Sequence, residues 1–137
     1  MQNLIVNLAV RDIRESIAFY RDILGFSPIM AVPEDKSSFS PELEEGKRYL
    51  FAMVQSGGVE IMLQQEESLR EDVGNFFTHI GASATCYIRV DDVDKFYETI
   101  AAKVEIIKPI ETTWYGMREF YIRDIDGYVF GFAKQVV

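Results

Sequence analysis

Leu4-Ile5-Val6-Asn7-Leu8-Ala9-Val10-Arg11-Asp12-Ile13, followed by Ser16-Ile17-Ala18-Phe19-Tyr20, decides the reading of this chain, because it is written twice. The second copy is Ala84-Thr85-Cys86-Tyr87-Ile88-Arg89-Val90-Asp91-Asp92-Val93, followed by Phe96-Tyr97-Glu98-Thr99-Ile100. The copies align without a gap: Val10 falls on Val90, Asp12 on Asp92, Ile13 on Val93 and Ile17 on Tyr97. Each copy reads as an apolar strand, an aspartate in a helix-capping position, and a helix with one apolar face. A duplicated strand-turn-helix unit predicts paired modules whose sheets frame a ligand groove.

Working outward, the first module continues with a helix from Ile13 to Leu24, on which Ile13, Ile17, Tyr20 and Leu24 share one face. Gly25 is placed to end it, and a strand from Phe26 to Val32 follows. Residues 33–47 are polar, with two prolines and three serines, and read as a surface loop. Tyr49–Gln55 and Val59–Gln65 are expected to form a hairpin closed by Gly57-Gly58. The module is therefore βαβββ. A charged connector, residues 66–82, holds a short helix expected around Arg70–Phe77 and the single histidine, His79. The second module repeats the plan: strand Ala84–Val90, helix Val93–Ala102, strand Val104–Pro109, the loop Trp114-Tyr115-Gly116, strand Arg118–Arg123, an Asp126-Gly127 turn and strand Tyr128–Lys134.

At 137 residues the chain is expected to be one α+β domain of two modules, about 1–65 and 83–137. It is 48% hydrophobic and 13% aromatic, a globular composition rich enough in rings to line a pocket. The net charge of −8 argues against nucleic acid and against anionic membrane surfaces. No apolar run is long enough to span a bilayer, and the first residues lack the basic and apolar segments of a signal peptide. Cys86 is the single cysteine, so no internal disulfide forms, and a cytoplasmic location is expected. No phosphate loop appears, and no nucleophile stands beside a histidine motif.

Val10 to Tyr20 with Leu24-Gly25-Phe26, and Gly116 to Tyr128, resemble the vicinal oxygen chelate superfamily of glyoxalases, extradiol dioxygenases and bleomycin-resistance proteins. The resemblance covers nearly the whole chain and implies a cupped, mixed β-sheet built from the paired modules. Enzymes of that superfamily hold a divalent metal through His, Glu or Gln at equivalent positions of the modules. Matching the strands carries those positions onto Ile5, Glu60, Thr85 and Gly131. Only Glu60 is a good donor. The resemblance therefore implies no metal and no cofactor. The ending Asp126-Gly127-Tyr128-Val129-Phe130-Gly131-Phe132 is similar to bleomycin-resistance-type members, which sequester an antibiotic in a groove shared by a homodimer.

Strand alternation assigns the groove residues. Ile5, Asn7 and Ala9 are expected on the cup side, with Leu4, Val6, Leu8 and Val10 against the helix. Thr85, Tyr87 and Arg89 take the cup side of the second module. Tyr49, Phe51 and Met53, then Glu60, Met62 and Gln64, and then Glu119, Tyr121 and Arg123 are expected to join them. Trp114 and Tyr115 lie on a loop placed to close over the cup. Each has an ordinary alternative: an ion pair for Glu60 and Arg89, a loop anchor or dimer contact for Trp114, core filling for Met53 and Met62. The expected function is metal-independent binding of a hydrophobic or aromatic small molecule such as an antibiotic. The alternative is a lyase, isomerase or dioxygenase of the same superfamily that uses Glu60.

Overall fold

The computed structural model describes residues 1–137, which form two compact units, Met1–Ile80 and Gly81–Val137. Unit 1 runs β1 (Val6–Val10), α1 (Ile13–Ala18), β2 (Ser27–Pro33), β3 (Tyr49–Ser56), β4 (Val59–Gln65) and α2 (Glu66–Val73). Unit 2 runs β5 (Thr85–Arg89), α3 (Val93–Ile100), β6 (Glu105–Thr112), β7 (Met117–Arg123) and β8 (Val129–Gln135). Each unit holds a four-stranded sheet of the same plan, β1-β4-β3-β2 in one and β5-β8-β7-β6 in the other. In each, one parallel pair, β1 with β4 or β5 with β8, joins an antiparallel meander. The α+β class and the βαβββ repeat are therefore seen directly.

The repeated aspartates do what their spacing predicts. Asp12 accepts a hydrogen bond from the Glu15 N–H at 3.0 Å, and Asp92 accepts one from the Lys95 N–H at 3.1 Å. Both satisfy a donor that a helix N-terminus would otherwise leave orphaned. Behind the unit 1 sheet, Ile13 and Ile17 of α1 and Tyr20 just beyond it are buried together with Leu8, Val10, Ala52, Val54, Ile61 and Leu63 of the strands. In unit 2, Phe96 and Tyr97 of α3 meet Phe120 and Phe132 with ring centroids 4.9–6.1 Å apart. Burial of such rings is the main stabilising contribution here, on the order of 2–3 kcal/mol for each.

Several elements differ from expectation. The first helix is α-helical only to Ala18 and widens into a π-helical turn over Phe19–Ile23, with Leu24 N–H donating to Phe19 C=O at 3.3 Å. The wider turn seats both Phe19 and Tyr20 in the core. Gly25 at φ +81 ends it, in a conformation that costs a glycine little. The connector helix lies at Glu66–Val73 and not at Arg70–Phe77, because Gln65 caps it from the strand, accepting from the Glu67 and Ser68 N–H groups. Phe77 instead lies beneath the Arg70 guanidinium, 4.3 Å from its ring centre. Strand β6 continues past Pro109 to Thr112, because it is an edge strand with register shifts around that proline. Leu4 does not pack against the helix: it precedes β1 and is exposed. No helix is long and apolar enough to cross a membrane.

Candidate functional site

Register shows which side chains share the helix-free sheet face. In unit 1, Asn7 lies level with Met62, Met62 with Met53, and Phe51 with Gln64. These residues stand together, as alternation predicts. Gln55 lies level with Glu60 on the same side. Tyr49 does not join them. The register shifts between Val32 and Pro33, so that Val32 pairs with Phe51 and Pro33 with Tyr49, leaving Leu50 between. This bulge turns Tyr49 to the helix side, where it is buried and Arg14 lies over its ring, 5.1 Å from the centre. Its hydroxyl accepts from the Glu44 N–H at 2.7 Å.

The unit 1 face holds a pocket of about 360 Å³. Val32, Leu50, Phe51 and Met62 give it an apolar wall, Asn7, Gln64, Ser68 and Asp72 give it a polar end, and the exposed Lys36 and Glu71 complete the lining. The polar end is one hydrogen-bonded chain. Gln64 is buried, and its Nε2 donates to Asp72 at 2.7 Å and to Ser68 Oγ at 3.0 Å. Its Oε1 accepts from Asn7 Nδ2 at 2.9 Å. An ionised carboxylate only accepts, so Asp72 fixes which end of Gln64 faces it, and Gln64 in turn fixes Asn7. The chain ends on Asn7 Oδ1, a buried acceptor with no donor. Val32, Lys36, Leu50, Ser68, Glu71 and Asp72 are the lining residues that sequence reasoning missed. Ser68 and Asp72 stand four apart on α2, one helical turn, which is the signal that a helix starting at Glu66 would have given.

The unit 2 face carries tyrosines. Tyr87 and Tyr121 both lie level with Gly131, with ring centroids 6.3 Å apart. A Cβ at Gly131 would fall 2.5 Å from Tyr121 Cε2 and 2.9 Å from Tyr87 Cδ1. Glycine is needed there because the rings lie where a side chain would be. Beside them Glu119 is completely buried, and its two carboxylate oxygens accept from the Tyr87 and Tyr115 hydroxyls. Burial first, and then the hydrogen bond to Glu119, push the Tyr87 phenol above the ordinary tyrosine range. The Tyr115 phenol is raised chiefly by its bond to Glu119, and that of Tyr121 by burial and then by the Glu119 charge. All three hydroxyls therefore stay protonated at neutral pH, and those of Tyr87 and Tyr115 donate to Glu119.

Trp114 and Tyr115 do not form a swinging loop. They sit in a tight turn fastened by Gly116 N–H to Thr113 C=O at 3.1 Å and by Met117 N–H to Thr113 Oγ1 at 3.1 Å. Tyr115 turns inward to Glu119, while Trp114 is 95% exposed. Arg89 is also exposed, and Glu60 is half-buried. Neither of these two makes an ion pair within its own unit.

The superfamily's metal can be tested against the residues present. By register, Ile5 and Thr85 are equivalent, and the level of Glu60 in unit 1 is that of Val129 in unit 2, while Gly131 matches Met62. The position matched to Gly131 from sequence is thus two residues out of step with Glu60. Isoleucine, valine and glycine offer no side-chain donor, and Thr85 offers a neutral hydroxyl. Neither unit gathers three His, Cys, Asp or Glu side chains in an arrangement fit for a metal ion. The residues do not fit that group, and no chemistry is routed through it.

The family model described as Glyoxalase/Bleomycin resistance protein/Dioxygenase superfamily matches residues 4–132. No curated protein matches the chain. Among solved structures, a protein of unknown function from Agrobacterium tumefaciens str. C58 is 26% identical at a TM-score of 0.74, over 99% of this chain and 95% of that one. A glyoxalase/bleomycin resistance protein/dioxygenase family enzyme from Burkholderia phytofirmans PsJN is 25% identical at 0.71, over 96% and 97%. A bleomycin-binding protein from Streptomyces verticillus, complexed with copper(II)-bleomycin, is 22% identical at 0.61, over 96% and 94%.

Proposed function

The chain belongs to the glyoxalase/bleomycin resistance protein/dioxygenase superfamily, and on that premise we propose that it binds and sequesters a hydrophobic or aromatic small molecule without a metal. The observation that carries this reading is the unit 1 pocket of about 360 Å³, with Val32, Leu50, Phe51 and Met62 as walls and one amide chain as its polar end. An apolar wall set against convergent polar groups is one make-up of a small-molecule site. The unpaired acceptor Asn7 Oδ1 favours a ligand that brings an N–H group, since a buried acceptor left without a donor costs about 1–3 kcal/mol.

The Streptomyces verticillus relative, which shares the fold, is a bleomycin-binding protein. A bulky antibiotic is accordingly one ligand class within this reading, and a cytoplasmic homodimer is the form in which we propose it acts. The competing enzyme reading places catalysis on Glu60. A thermal-shift screen of aromatic compounds and antibiotics, run with divalent metal and with chelator, separates the two. Sequestration predicts a metal-independent rise for one compound class. Turnover of a bound compound that Glu60→Gln abolishes, with binding retained, would replace sequestration by catalysis.

A further inference from the structure

The face of unit 2 contains a buried negative charge with no cation bonded to it. Glu119 is fully buried, and its oxygens accept only phenolic hydrogens. The neighbouring cations are committed elsewhere. Arg118 goes to Asp94 at 3.0 Å, Arg123 to Glu105 at 2.9 Å, and Lys108, level with Tyr121 on β6, to Glu111 at 2.6 Å. Arg89 lies level with Glu119 across Ala133 but is exposed and unpaired within the unit. Two hydroxyl donors relieve part of the cost of burying a carboxylate, and Lys108 acts on it only through space, without a bond to it.

The groups around that charge are ring faces. Tyr87 and Tyr121 lie tilted at 43° to one another over Gly131, and Tyr115 stands edge-on to Trp114 at 5.3 Å. Tyr87 and Tyr115 are 42% and 50% exposed, so their rings are open to solvent while their hydroxyls are occupied by Glu119. A phenol that donates to a carboxylate gains electron density in its ring, which strengthens the pull of the ring face on a cation. A metal ion would need bare oxygen ligands, and here the oxygens are already hydrogen-bonded behind the rings. A weakly hydrated organic cation needs only the faces.

We propose that Tyr87, Tyr115 and Tyr121, backed by Glu119, form a binding site for an alkylated ammonium group. This goes beyond the pocket reading, which concerns the other unit, and the two stand or fall separately. The probe is choline, titrated into the full chain beside its neutral isostere with carbon in place of nitrogen. Tyrosine ring resonances and the fluorescence of Trp114, the one tryptophan, report binding.

Choline is expected to perturb Tyr87, Tyr115 and Tyr121 saturably, and the isostere to do so at least about tenfold more weakly. Glu119→Gln keeps the shape, accepts from one phenol through its oxygen and donates to the other through its amide, and is expected to weaken choline about tenfold. Should that variant fail to fold, Tyr115→Leu, at a half-exposed turn position, is expected to weaken choline about fivefold. Equal affinity for the isostere, no saturable change with choline, or wild-type affinity in the folded variants would overturn the proposal. Because the readouts are the unit 2 tyrosines and Trp114, such a failure leaves the sequestration reading of the unit 1 pocket intact.

Discussion

The helix-free sheet faces of the two units share one register and differ in what stands on it. Asn7, Met62, Met53 and Phe51 in unit 1 correspond to Tyr87, Gly131, Tyr121 and Glu119 in unit 2. In the first, the Met62 thioether, Phe51 and an amide chain border a pocket of about 360 Å³. In the second, glycine at the central level lets two tyrosine rings lie on the strands, and a glutamate ties their neighbours together. The backbone repeat thus sets where side chains project, while the residue at one level, methionine or glycine, decides whether the face is hollow or paved.

That contrast can be broken at its centre. Gly131→Ala is expected to destabilise by about 2 kcal/mol in a denaturant titration, because the new methyl group meets both rings. Truncating Tyr121 to Leu in the same chain should recover part of the loss, as coupled neighbours do. Additive losses would show that the rings are not what requires glycine. At the equivalent level of unit 1, Met62→Leu keeps volume and is expected to cost under about 1 kcal/mol. A loss as large as that of Gly131→Ala would end the distinction between the faces.

Gln64→Leu tests the other half of the comparison. It strips Asn7 Nδ2 and Asp72 of their shared partner and is expected to cost about 1.5 kcal/mol in thermal or chemical unfolding. An unchanged stability would mean that the amide chain is not a structural unit.

The smallest effect is on pH. The folded phenols of Tyr87, Tyr115 and Tyr121 hold their protons above the ordinary tyrosine value. A folded pKa raised above the unfolded one gives stability that is complete below about pH 10 and is lost as pH rises through the folded values. The phenolate absorbance should therefore show a late-titrating group of tyrosines, with stability declining over the same window. Titration of every tyrosine together at the free value would contradict it.

Much of this was legible in the chain. The alignment of Asp12 with Asp92 placed both caps, and the alternation of Thr85 to Val90 sorted Tyr87 and Arg89 from Cys86 and Ile88. What was not legible depends on register. A single extra residue at Leu50 moved Tyr49 to the opposite face, and a bulge of that kind leaves no trace in a period-two pattern. The start of α2 was hidden because glutamine is an uncommon cap. With that start misplaced, Ser68 and Asp72 could not be assigned to the pocket. Gly131 reads in sequence as a missing donor, and only the ring positions give it a structural reason.

The central claim is that the unit 1 face holds an organic ligand without a metal. Methyl labelling of the five methionines tests it directly. With a chelator present and a thermal-shift hit added, the account predicts saturable movement of the Met62 methyl signals, while fully exposed Met1 stays still. Movement of these signals only after a divalent cation is added would contradict it.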